Sequence, residues 1–374
     1  MKTYNSIYVL LTLVIIGCSK SDDSIVNEEK PTSIDADYAV MLSSGATLAP
    51  QLLNANGELL TLNPEESNLA SKSIPQLTSL EGSEFFQYHK TGCSGRITRH
   101  DFTKDETAEI DVFDDLDDCM LTAVALLTSD TKICIAYERE IDEKTSTFGV
   151  RIIDRKSADL DFVDVPLNKK PLDLAIANDR LFIMTLDVEL SEENYLSVLD
   201  FSSNSLIHEM NLGFRARRVF NTSEDTIIIS YDELHTTLDS ASLSFVFTNY
   251  AEGTEPKFTA NAFDCFDGDG KLYYPKAADA VSTYPEIPAV YDFTKNLVTL
   301  YAYENFLTEE KRDFEFEIET TTTVNYDEKN DLILIGYKKV GKQEGGLLRI
   351  KPSPEPAFVD HIDLEGVPYV LFVN

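Results

Sequence analysis

The sequence predicts an all-β fold, a β-propeller of seven four-stranded blades closed by its C-terminal strand, and three observations carry that prediction. The first is a turn motif built on Asp followed by Phe or Arg and small polar or basic residues. It occurs at His100-Asp101-Phe102-Thr103-Lys104, Ile153-Asp154-Arg155-Lys156, Leu199-Asp200-Phe201-Ser202-Ser203 and Tyr291-Asp292-Phe293-Thr294-Lys295. Its aspartates are 53, 46 and 92 residues apart, so a further copy is expected near residue 246, where Val246-Phe247-Thr248-Asn249 keeps half of the pattern. The second is a series of apolar runs closed by Tyr and a charge: Phe85 to His89, Ile133 to Glu138, Ile227 to Asp232 and Leu332 to Lys338. Leu181 to Thr185 fills the gap with Thr in place of Tyr. The third is an orphan run, Val367 to Val373, after the last complete unit.

At the N-terminus, Lys2 precedes the apolar stretch Ile7 to Ile16 and then Gly17-Cys18. About ten apolar residues is roughly half of what a bilayer requires, so residues 1–17 read as a secretory signal rather than a span. The segment resembles bacterial lipoprotein signals, which makes Cys18 the expected site of lipidation and the mature chain anchored rather than spanning. The following Ser19-Lys20-Ser21-Asp22-Asp23 resembles the acidic export tag of Bacteroidota lipoproteins, implying an outer-membrane protein facing the exterior. Residues 18–35 are polar without apolar period and read as a flexible tether.

Residues 36–374 form the expected single propeller domain. Its units run approximately 36–70, 74–117, 119–168, 170–213, 215–261, 262–309 and 313–366, each offering four β-rich runs between turn residues. In the fourth these are Leu172 to Ala177, Arg180 to Leu186, Tyr195 to Asp200 and Leu206 to Leu212. The first unit lacks an inner strand, and docking Val367 to Val373 there would close the ring and cover an open edge. An eight-bladed ring, or six blades with an irregular N-terminal domain, are the alternatives.

The chain carries 32 Lys and Arg against 65 Asp and Glu, a formal charge of −33, which makes nucleic acid a poor partner. The same charge suits a head held off an anionic membrane. With 43% hydrophobic residues the domain can bury a substantial core.

With strands named a to d outward from the axis, the b-c and d-a loops share one face of the disc. That face is expected to carry His89, Lys90, Arg139, Asp232, Lys276, Lys338 and Lys339, together with the longer loops, and is where a ligand site is expected. The tyrosines Tyr88, Tyr137, Tyr231 and Tyr337 either pack between blades or touch a ligand. Arg215, Arg217 and Arg218 form the densest cationic cluster, suited to an anionic ligand or to pairing with carboxylates such as Asp232 and Glu233.

Asp264 to Gly270 looks superficially like a calcium loop, but Cys265 falls at the first ligand position, so it reads as an a-b hairpin. The acidic run Asp111, Asp114, Asp115, Asp117 and Asp118 reads as solvated. No metal or cofactor is expected. Four cysteines besides Cys18 allow three pairings; Cys93 and Cys119 fall on the same face of neighbouring blades, where a disulfide can form, and Cys134 and Cys265 read as buried thiols.

Catalytic patterns are thin. The five histidines are scattered, with no His-Glu-x-x-His and no Gly-x-Ser-x-Gly, and the absence of Trp disfavours quinone-stacking sites. The anchor, the opening Asp37 to Leu42 followed by Gln51-Leu52-Leu53, and the seven-unit repeat with its orphan strand together resemble a Bacteroidota family of propeller lipoproteins of unknown function. Some members of that family serve TonB-dependent transporters and capture ferric siderophores, which implies a small-molecule ligand and a transporter partner. A surface hydrolase or lyase and a protein-protein scaffold are the alternatives.

Overall fold

The computed structural model describes residues 36–374 other than 58, 117–118, 143–144, 223–225, 259–262 and 281. The signal segment, Cys18 and the tether 18–35 lie outside the described residues.

The chain forms a seven-bladed β-propeller. Blades 2 to 7 are four-stranded antiparallel meanders spanning Leu77–Val112, Leu121–Leu167, Lys170–Gly213, Arg218–Asn249, Cys265–Leu300 and Ile318–Leu364. Blade 1 takes strands b, c and d from Tyr38–Ser44, Thr47–Asn56 and Leu59–Leu62, and its innermost strand from Val367–Val373. Tyr38 to Ser43 pair antiparallel with Val373 to Val367, so the two ends of the domain meet within one sheet. A two-residue strand, Lys72–Ser73, pairs with Thr47 and Leu48 and extends the outer edge of blade 1.

There is no single central core. Among the described residues, seven apolar clusters each fill the space between two adjacent blades. This is why the b strands read as unbroken apolar runs: side chains alternate between faces, and both faces are covered. In the strand Leu332–Lys339, Ile333, Ile335 and Tyr337 enter the layer shared with blade 6, while Leu334 enters the layer shared with blade 1. Each such side chain contributes about 1.5–3 kcal/mol by leaving water.

The repeated aspartate closes strand c by accepting hydrogen bonds from the turn that follows. Asp101 Oδ1 accepts from the backbone N–H of Thr103 at 3.0 Å, Asp200 Oδ1 from Ser203 at 2.9 Å, and Asp292 Oδ1 from Lys295 at 3.0 Å. The copy expected near residue 246 lies instead at Asp239, which accepts from Ser242 N–H at 2.6 Å. Phe245–Asn249 is the outer strand of that blade. Blade 5 has short strands, so its turn comes early, and the Phe-Thr-Asn likeness was a strand sequence.

Three blades also join strands c and d through directly opposed arginine and aspartate: Arg96 with Asp111, Arg151 with Asp164 and Arg349 with Asp360. Arg151 and Arg349 are both 1% exposed, which is sustained by several partners each. Arg151 also binds Asp115 and stacks on Phe113 and Phe162, and Arg349 donates to Gly57 O at 3.0 Å.

Candidate functional site

The b-c and d-a connections share one face, and the long connections lie there. Among the described residues its loops carry eight exposed large apolar side chains. Ile74, Met120, Phe214 and Phe314 lie on d-a connections, and Ile141, Val188, Leu190 and Val340 lie at b-c tips. The described a-b and c-d turns of the opposite face carry none between their strands, although Leu59, Phe162, Phe245 and Leu297, the first residues of outer strands beside c-d turns, are exposed as well.

The four tyrosines close the b strands as packing groups. Tyr88 and Tyr337 are buried; Tyr137 and Tyr231 are partly buried. Tyr137 meets Phe113 edge-on at 5.3 Å, and Tyr231 Oη donates to Leu212 O at 3.2 Å. Burial pushes Tyr88 up to about 12 and raises Tyr337 further. Glycines on strand c make room for three of the rings: Gly95 beside Tyr88, Gly149 beside Tyr137 and Gly346 beside Tyr337.

The arginine cluster is divided. Arg217 binds Asp232 bidentately at 2.9 and 2.7 Å, which lowers that carboxyl. Arg218 is buried and binds Asp264 at 2.9 and 2.6 Å. Arg215 is exposed, with φ of 66°, and forms no ion pair among the described residues. Lys338 is held by both oxygens of Glu319 at 2.8 and 2.9 Å. Arg139 sits at the start of the blade 3 b-c hairpin, opposite Thr147 and Leu121. These basic residues therefore stand on several blades, and most are already paired.

His89 is different. It lines a cleft of about 680 Å³ between blades 1 and 2, together with Lys72, Gln76, Arg96, Thr98 and Glu109. Its Nε2 is buried without a hydrogen-bond partner, and burial with the nearby Lys72 holds its pKa below 6.5, so the imidazole is neutral at pH 7. Sequence reasoning missed Lys72, Gln87, Arg96 and Glu109. Gln87, His89, Arg96 and Thr98 share one strand face by two-residue periodicity, which was legible; Lys72 arrives on an irregular connection that has no periodicity to read.

Cys93 and Cys119 are disulfide-bonded across the b-c loop of blade 2 and the connection to blade 3. Lys90 Nζ donates to the carbonyls of Cys119, at 2.8 Å, and Leu121. Cys134 is fully buried; Cys265 is partly buried and its thiol approaches Asn325 Oδ1 at 3.0 Å. The Asp264 to Gly270 segment is the a-b hairpin of blade 6, with Asp267 accepting from the N–H of Asp269 and Lys271. Of the acidic run, Asp111 and Asp115 pair with arginine, and Asp117 and Asp118 lie outside the described residues. Among the described residues no group of three or more His, Cys, Asp or Glu is placed to hold a metal ion.

One buried histidine does sit with a carboxylate and a hydroxyl. His100 Nε2 is 3.3 Å from Ser67 Oγ and 3.6 Å from Asp105 Oδ1, while Nδ1 is 2.9 Å from Thr107 Oγ1. In a nucleophilic triad the carboxylate orients the nitrogen opposite the nucleophile. Here both lie on the Nε2 side, His100 is 0% exposed, and Asp105 caps the backbone of Asn68 at 2.8 Å. The cluster fastens the connection after blade 1 onto blade 2.

No protein-family profile matches the chain, and no curated protein matches it. A solved protein from Lactobacillus plantarum is similar at 11% identity and TM-score 0.54, covering 90% of this chain and 98% of that one. A chain of the Mitotic Checkpoint Complex is similar at 7% identity and TM-score 0.50, covering 98% and 91%. A puromycin hydrolase S511A mutant complexed with PGG is similar at 9% identity and TM-score 0.49, and the chain spans 55% of it. At these identities the first two likenesses establish the fold alone: this chain is a seven-bladed β-propeller.

Proposed function

We propose that this chain is a non-catalytic binding propeller, tethered to the outer membrane through Cys18, that captures a small ligand and presents it to a membrane neighbour. The neighbour is a TonB-dependent transporter and the ligand is of the ferric siderophore kind. The observation that supports this reading most is the set of exposed apolar residues on the long b-c and d-a loops, including Leu190 at 89% exposed and Phe214 at 61%. Water-facing apolar groups of this size on the loops of the b-c face mark a surface that another molecule covers. The tether carries the lipid anchor in this reading, so the partner sits in or beside the same membrane. The orientation of the His100 cluster supports capture over hydrolysis.

The test measures uptake of a radiolabelled ferric siderophore in cells that carry the chain and its neighbouring transporter. Cys18→Ala is expected to release the protein from the outer-membrane fraction, and Leu190→Glu with Phe214→Glu to lower uptake several-fold while leaving ligand binding intact. Uptake unchanged in both variants would sink the reading.

A further inference from the structure

The cleft between blades 1 and 2 holds polar groups that the apolar loop surface does not use. Strand alternation sends Gln87 and His89 toward blade 1, above Phe85, which is packed into the blade 1–2 layer. Gln87 is 2% exposed, and its Oε1 has no partner; His89 Nε2 is likewise buried and unpartnered. Gln87 lies directly opposite Thr98, which lines the cleft. With the His89 proton on Nδ1, two acceptor positions stand unmet on one strand face, a cost that a ligand hydrogen would remove.

The wall opposite supplies donors. Lys72 Nζ donates to Thr98 Oγ1 and Glu109 Oε1, both at 2.8 Å, using two of its three protons. Arg96 donates through Nε to Asp111 at 2.6 Å and through Nη1 to Glu109 Oε2 at 2.9 Å, which leaves Nη2 without a partner among the described residues. Glu109 takes one cation on each oxygen, so Lys72 and Arg96 stand a single carboxylate apart. Apart from His89 no lining side chain is aromatic, and Tyr88 points away into the blade 2–3 layer, so recognition here is by hydrogen bonds and charge rather than stacking.

We propose that this cleft binds a small hydroxylated carboxylate. The ligand carboxylate accepts from Lys72 Nζ and Arg96 Nη2, and a ligand hydroxyl donates to His89 Nε2, while Gln87 Oε1 lies behind the lining, next along the strand face from His89. A plain anion such as sulfate meets the donors but leaves both acceptors bare. A neutral sugar meets the acceptors but leaves the two cations to Glu109 and Asp111. A hydroxy acid satisfies both sets at once. The proposal rests on the reading that the chain captures a small ligand, and it narrows the class of that ligand.

Titration calorimetry of the full mature chain tests it with citrate, galacturonate, galactose, propionate and sulfate. Citrate or galacturonate is expected to bind at least tenfold more tightly than galactose, propionate and sulfate. Lys72→Gln and His89→Asn are each expected to weaken that binding at least tenfold at an unchanged melting temperature. If either variant unfolds, Arg96→Gln on the open wall reads the carboxylate contact instead. Equal binding of galactose and galacturonate, hydroxy-acid binding indifferent to all three variants, or no hydroxy-acid binding by the parent chain each overturns the proposal. Ferric catecholate binding that persists unchanged in Lys72→Gln and His89→Asn overturns the cleft assignment while leaving capture intact, whereas parent chain that binds neither ferric catecholate nor any hydroxy acid overturns both.

Discussion

Tyr337 lies directly across the strand pair from Gly346, and a β-carbon at Gly346 would stand 2.4 Å from Tyr337 Oη. The same arrangement recurs in blade 3, where a β-carbon at Gly149 would meet Tyr137 Cζ at 2.6 Å. Both glycines have ordinary backbone angles, so the absent side chain matters for space and not for conformation. Gly346→Ala and Gly149→Ala are each expected to cost about 1–3 kcal/mol, read as a lower urea midpoint, because each added β-carbon would overlap the tyrosine ring and force it to shift. A midpoint unchanged in both would show that the rings are not wedged.

Arg349 and Asp360 form a buried pair whose second carboxylate oxygen also accepts from Leu60 N–H at 2.6 Å, joining blade 7 to blade 1. Arg349→Met strands a buried carboxylate and is expected to cost about 3–5 kcal/mol. Arg349→Met with Asp360→Leu should cost less than the single change, since no buried charge is then stranded and only the Leu60 N–H and the Gly57 carbonyl lose a partner. Chemical denaturation of the two variants compares them; a double variant weaker than the single one would contradict the argument.

Deleting residues 367–374 removes the innermost strand of blade 1 together with Val370, Leu371 and Phe372, which are almost fully buried. Each contributes about 1.5–3 kcal/mol, and the deletion also bares the edge of Tyr38–Ser44. Loss of the cooperative thermal transition is expected, with recovery on adding the missing strand as a peptide. A sharp transition near the parent temperature without peptide would argue against ring closure.

His235 is 2% exposed and hydrogen-bonds through Nδ1 to Tyr250 Oη at 2.8 Å; burial lowers its pKa from 6.5 to about 4. The unfolded chain therefore binds a proton between those values that the folded chain refuses. This contribution is fully present above pH 6.5 and is lost as pH falls toward 4, on the order of 3 kcal/mol at the limit. Urea midpoints at pH 7.5 and 4.5 should converge for His235→Gln relative to the parent chain. An identical pH slope in the two proteins would remove His235 from the account.

The disulfide between Cys93 and Cys119 closes a loop with a sequence separation of 26. Cys93→Ser is expected to lower stability by about 2–4 kcal/mol, mainly by freeing the unfolded chain. Calorimetric melting under oxidising conditions reads the loss, and melting of the parent chain with reductant should match it.

The primary structure already specified the all-β class, the seven units, the limits of most blades and the docking of Val367–Val373 into blade 1. Those features rest on short-range periodicity and on turn residues, which each unit repeats with its own local hydrogen bonds. The Asp101, Asp200 and Asp292 turns were legible because a carboxylate capping its own turn needs nothing from elsewhere in the chain. The site was legible only at His89. What surrounds it is assembled from Lys72 on one blade and Arg96, Thr98 and Glu109 on two further strands of the next, and no local pattern records that meeting. The fate of the arginines was likewise a tertiary matter: Arg217 and Arg218 look alike in sequence, yet one pairs at the surface with Asp232 and the other in the interior with Asp264. Adjacent strand residues point to opposite faces, and which carboxylate waits on each face is decided only when the blades pack around the ring.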